Sequence, residues 1–181
     1  MVTVRKISKL DAAKTQLETA IHLFFHNSDP VSIHTLTAAA YNILRDICKN
    51  RGYPYVLIKG SSLQYVIPGK EKKYLNAVNQ AENFFKHADN DPEEILNFNP
   101  SQTEILIYDA CKIYQEITKK INPLCHLFQV WFMAENPDLF KFPKDMEKQI
   151  IMIREAKAHE NKKFYYEIMF PIAMNMAGKK I

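Results

Sequence analysis

The sequence predicts an all-α protein, an antiparallel bundle of at least four helices with further helices at the C-terminal end. Three observations carry this expectation. Apolar residues recur at three- and four-residue steps in one segment after another, the period of a helix face rather than of a strand. Only four glycines occur in 181 residues, and most of the nine prolines fall between the periodic segments. The connections are short and hold helix start and stop residues, so consecutive helices are expected to pack as neighbours. A chain of this length, 47% hydrophobic and 24% charged, can bury a sizeable core. The expected organisation is a single helical domain over 1–181, with a bundle core at about 9–120 and a helical extension over 121–181.

The elements follow in order. Lys9 to Asn27 reads as the first helix, with Leu17, Ala20, Ile21, Phe24 and Phe25 on its apolar face. Its His22 and His26 stand four residues apart, a spacing that can hold a metal. They share a flank with Thr15, Glu18 and Thr19, and no HExxH motif or third ligand accompanies them, so they read as solvent-side histidines. Asp29 is a good N-cap and Pro30 suits the first position of the second helix, Pro30 to Asn50. That helix is apolar nearly all round, from Ile33 through Leu36, Ala38, Ala39, Ala40, Ile43 and Leu44 to Ile47, and belongs in the middle of the bundle. His34 within it reads as a hydrogen-bonded interior histidine. Gly52 fits the left-handed position that closes the helix. Residues 53–69 read as a packed loop with a short helical turn, a hairpin being the alternative.

After Pro68-Gly69 comes the next helix, and Asn99-Pro100 opens another over Ser101 to Lys120, where Ser101 and Glu104 have capping-box spacing. Asp109 stands mid-helix among apolar neighbours and reads as a flank residue or one facing a polar seam. Asn122-Pro123 starts a fifth helix around Trp131. A short turn lies between Asn136-Pro137 and Phe142-Pro143, and Lys144 to Glu160 reads as a sixth helix. The apolar tail from Phe164 to Met176 is broken by Pro171 in this reading. Left uncovered, the Trp131 region and this tail would form a large apolar patch, so a homodimer is expected.

Composition excludes several classes. The net charge of +4 comes from 24 basic and 20 acidic residues without a basic block, the pattern of an ordinary solvated surface. Cys48, Cys111 and Cys125 form no CxxC and cannot all pair; they read as core residues with free thiols. With no signal core and no apolar run near about 18 residues, the chain reads as cytoplasmic and not membrane-bound. Serine-nucleophile, P-loop, dinucleotide and zinc-cluster motifs are missing, and neither a cofactor nor a metal is expected.

Concentrated chemistry occurs in one stretch, Tyr74 to Pro92, YLNAVNQAENFFKHADNDP. Tyr74, Val78, Ala81, Phe85 and Ala88 fall on one helix face. Asn76, Gln80, Asn83 and His87 form a second stripe without formal charge, which suggests a half-buried polar seam. Asp89 and Asp91 read as caps of the turn that follows.

The segment Glu82-Asn83-Phe84-Phe85-Lys86-His87 resembles the HEPN superfamily of small helical bundles. It also resembles uncharacterised bacterial proteins that carry an NFFKHADxDP segment. In HEPN ribonucleases an arginine, often followed by Asn, Asp or His, precedes a histidine by four to six residues, and both act on RNA phosphate at a dimer interface. The resemblance implies roles for Asn83 and His87, with Lys86, Gln80 and Asp91 as ligand-binding candidates. Glu82 stands where the arginine would be, and a carboxylate there repels a phosphate. A second Arg-x4-His string, Arg154 to His159, lies in a Lys- and Glu-rich helix. The resulting expectation is a HEPN-like protein, non-catalytic or weakly active. It would act by dimerising and by binding RNA, a nucleotide or a protein. The alternative is a metal-independent ribonuclease with His87 as acid-base residue.

Overall fold

The computed structural model describes residues 4–53, 57–89, 91–141, 144–155 and 161–178, with the backbone alone at 144–146, 149, 152 and 176–178. Among these residues the chain forms seven α-helices and no strand, as the periodicity predicts. They are α1 (Lys9–Phe25), α2 (Pro30–Asn50), α3 (Glu71–Phe84), α4 (Ser101–Thr118), α5 (Pro123–Glu135), α6 (Lys144–Glu155) and α7 (Lys162–Gly178). Short 3-10 turns occur at Ser61–Tyr65 and Pro137–Leu139.

Helix starts are set by local hydrogen bonds. Ser8 and Asp11 form a reciprocal capping box at α1. Asp29 accepts from the Ser32 amide at 2.8 Å, with Pro30 first in α2. Asn122 accepts from the amides of Leu124 and Cys125 to start α5. At α4 the start shifts by one residue: Asn99 accepts from Ser101 at 3.1 Å, and Pro100 is the cap residue, so the Ser101–Glu104 capping box does not form. Gly52 has φ +69°, the left-handed stop expected after α2.

α2 is the central helix, packed between α1 and α4, with α3 along its edge. Its Ile33, Ala38, Ala40 and Leu44 are buried, and Ile43 and Ile47 are partly covered. The core runs on without a break from α1 through α4 and α5 into α7. Phe25, Tyr41, Leu44, Ile107, Ile113 and Phe128 are closed to solvent, and fully burying such a side chain is worth roughly 1.5–3 kcal/mol. Trp131 belongs here too. It is 2% exposed and stacks edge-to-face on Phe24 and Phe25. Cys48, Cys111 and Cys125 are buried free thiols, as expected.

α7 does not break at Pro171. The proline removes one backbone donor, but Pro171 lies on the exposed side, where water can satisfy the freed carbonyl. The helix docks through Tyr165 and Ala173, with Tyr166, Met169 and Phe170 partly covered. No helix among the described residues is long and apolar enough to cross a membrane.

Asp109 is neither a flank residue nor part of the α3 stripe. It is fully buried and accepts from the Tyr41 hydroxyl at 2.8 Å, the Ile58 amide at 2.9 Å and the Leu57 amide at 3.3 Å. The carboxylate therefore ties the loop after α2 to two core helices. Burial first, and then the neighbouring Asp109 charge, push the Tyr41 hydroxyl well above its ordinary titration range, so it stays a donor. Asp109→Ala takes the acceptor from the Tyr41 hydroxyl and from the Leu57 and Ile58 amides. The expected loss is about 3 kcal/mol in urea unfolding, against about 1 kcal/mol for Tyr41→Phe.

Candidate functional site

α3 is amphipathic, and its two flanks face different chemistry. Ala81 is buried, while Tyr74, Val78 and Phe85 are half-buried toward the bundle. Glu82 turns inward with them. Its carboxylate meets Lys59 Nζ at 3.2 Å and Lys86 Nζ at 2.7 Å, and accepts from Asn42 Nδ2 at 2.5 Å. Lys59 Nζ also donates to Asn42 Oδ1 at 3.0 Å, and only 4% of the Lys59 side chain is exposed. Tyr74 donates its hydroxyl to the Ile58 carbonyl at 3.0 Å. The loop thus holds α3 at two points, Tyr74 near its start and Glu82 near its end.

Burial alone would push the Glu82 carboxyl up, but the Lys86 hydrogen bond and the Lys59 charge outweigh it and leave the group below its ordinary value. Lys59 is pulled down by burial, with Glu82 opposing. At 3.2 Å the ammonium and the carboxylate offset each other's burial.

The opposite flank is open. Asn76, Gln80, Asn83 and His87 are exposed, and with Phe84, Asp89, Asp91 and Glu94 they line a cleft of about 560 Å³. The stripe is therefore not the half-buried seam expected from its composition. α3 lies at the edge of the bundle with α2 as its main helix neighbour, so only one flank is covered. α3 also ends at Phe84, and His87 sits one turn past it, its amide on the Asn83 carbonyl at 3.0 Å. Of the candidate residues, Gln80, Asn83, His87 and Asp91 come together at this cleft. Lys86 does not; its ammonium is bound to Glu82 on the other flank.

Sequence reasoning did not place Asp89 or Glu94 in the cleft, nor Asn42 and Lys59 behind it. The acidic run after His87 was the available signal for the first pair. Hydrogen bonding to Asp91 lifts the Glu94 carboxyl above its usual range, and the nearby Asp91 charge adds to the rise. Among the described residues, no lysine or arginine lines the cleft.

His34 marks the inner edge of the same region. It is 3% exposed, with Nδ1 2.9 Å from Thr103 Oγ1. Its Nε2 is buried without a hydrogen-bond partner among the described residues, and Phe85 and Phe98 stand edge-to-face at 5.7 and 5.2 Å. His34 is the interior histidine the sequence suggests, and it clips the end of α3 and the connection before α4 onto α2. Burial pulls its pKa down; Glu82 opposes, and Lys59 and Lys86 add to the lowering.

Elsewhere, His22 is exposed and His26 half-buried. Arg154 lines a second cleft of about 410 Å³ with Glu135, Ile151 and Glu155, while His159 lies outside the described residues. Among the described residues no three His, Cys, Asp or Glu side chains gather as a metal site. Comparison with protein-family models, curated proteins and solved structures gives no match.

Two measurements follow from this geometry. Glu82→Ala strands a buried ammonium, and Glu82→Ala with Lys59→Met removes both charges. A double-mutant cycle in urea should give a coupling energy of about 1–3 kcal/mol. The second is pH. A histidine with a folded-state pKa below its unfolded value stabilises the fold fully above about pH 6.5, and this contribution is lost as pH falls below that toward the folded value. Melting curves should show a loss of stability below about pH 6.5 that is reduced in His34→Gln.

Proposed function

We propose that this chain is a non-catalytic, HEPN-like helical module that works by binding, and that its α3 cleft takes a polypeptide presenting basic side chains. One observation carries the reading: the cleft offers amides, an imidazole and the carboxylates of Asp89, Asp91 and Glu94, while the nearby Lys86 is committed to Glu82. A polyanion meets repulsion there; a lysine- or arginine-bearing segment meets charge and hydrogen-bond acceptors. Dimerisation is part of the proposal. Phe164, Ile168, Ile172 and Met174 on α7 are each about half exposed, and they form the surface a second copy would cover. Trp131, buried in its own core, no longer supports that dimer.

The ribonuclease reading has one observation in its favour, the open position of His87 beside Asn83. Among the described residues the cleft has no lysine or arginine to stabilise the phosphate charge that develops in the transition state.

A short oligolysine peptide should bind in fluorescence anisotropy, with affinity falling as salt rises. The combined variant Asp89→Asn, Asp91→Asn, Glu94→Gln should lose that binding. His87→Ala should change stability by less than about 0.5 kcal/mol, as for an exposed side chain. Metal-free cleavage of single-stranded RNA by the wild type, abolished by His87→Ala at unchanged melting temperature, would establish the enzyme reading instead.

A further inference from the structure

Residues four apart on a helix share a flank, so His22 and His26 are neighbours near the end of α1. The fold adds what the spacing alone does not show. α7 brings Tyr166 against both imidazoles, its ring 5.5 Å from His22 and 5.1 Å from His26. The two imidazoles lie 4.1 Å apart, tilted by 36°.

Hydrogen bonding then decides which ring nitrogens are free. His26 Nδ1 is 2.8 Å from the His22 carbonyl oxygen. A carbonyl only accepts, so Nδ1 carries the proton and His26 Nε2 is a lone pair. His22 Nδ1 is 3.2 Å from the Tyr166 hydroxyl. A hydroxyl accepts as well as donates, so this contact admits the tautomer with Nδ1–H on the tyrosine oxygen and a lone pair on His22 Nε2, the one a bound metal ion would select. Both rings are then oriented through Nδ1 with Nε2 available, the outer-shell arrangement typical of metal-binding histidines. His22 is exposed, which leaves an entry path.

We infer that His22 and His26 form a two-imidazole site for a divalent transition-metal ion at the junction of α1 and α7, with its remaining coordination positions open to water or an external ligand. Imidazole nitrogen selects the zinc, nickel and copper class, with copper bound most tightly of the divalent series. Magnesium and calcium require oxygen ligands and do not fit. Glu18, the nearest acidic residue on that flank of α1, is engaged by Asn122 at 2.7 Å and Lys14 at 3.8 Å, so among the described residues the site has two protein ligands and stays open. It is separate from the α3 cleft and does not depend on the function proposed for it.

Isothermal titration of Zn²⁺ into chelator-treated protein tests this. The wild type and His87→Gln should each bind one ion per chain, with a rise in melting temperature. His22→Gln and His26→Gln should each abolish binding, and Tyr166→Phe should weaken it about tenfold while keeping the stoichiometry. Mg²⁺ should give no binding heat. Zinc binding that persists in the double variant His22→Gln, His26→Gln, or no zinc binding by the folded wild type, overturns the assignment.

Discussion

A buried carboxylate on α4 fixes the position of an edge helix through the loop after α2. Asp109 is closed to solvent and, among the described residues, accepts from a core tyrosine and from two amides of the loop after α2. Unpaired, such a group would be costly to bury; with these donors the cost is offset and the loop has one place to sit. The Tyr41 hydroxyl donates to Asp109 and accepts from the Lys59 amide at 3.2 Å, so the relay continues into the next residue. Lys59 then reaches Glu82, and the Ile58 carbonyl takes the Tyr74 hydroxyl. Through these links Asp109 sets where α3 lies.

This attachment is largely polar, and that accounts for the open cleft. The helices of the main bundle are held by deep apolar packing around Phe25, Leu44 and Phe128. α3 buries little beyond Ala81 and Glu82 and leaves its amide stripe in solvent. Elements with few buried apolar contacts open at lower free energy than the core, and binding surfaces are often drawn from them. The charge pattern has the same origin. Glu82 turns inside to meet the buried Lys59 and holds Lys86 as well, which keeps the Lys86 ammonium on the flank away from the cleft.

Much of the fold was legible in the sequence because helix periodicity and capping chemistry are local. Asp29-Pro30, Gly52 and Asn122-Pro123 mark boundaries the structure reproduces. Pro171 misled because the penalty for a helical proline depends on whether the freed carbonyl is exposed, a tertiary fact. The candidate site was legible in part. Gln80, Asn83, His87 and Asp91 share a cleft because helical spacing and the following turn bring them together. Their exposure was misjudged, because an uncharged amide stripe looks alike on a covered flank and an open one. Asp109 and Glu82 were the harder cases. Their partners lie 51 and 23 residues away, at Ile58 and Lys59, beyond any local pattern.

The most direct test of this account is native-state hydrogen exchange in Asp109→Asn, which keeps the side-chain volume and removes the charge. If the carboxylate positions α3 through the loop, the α3 amides should lose protection more than those of α1 and α5. Loss of protection spread evenly over all three helices, or α3 amides that exchange as in the wild type, would contradict it.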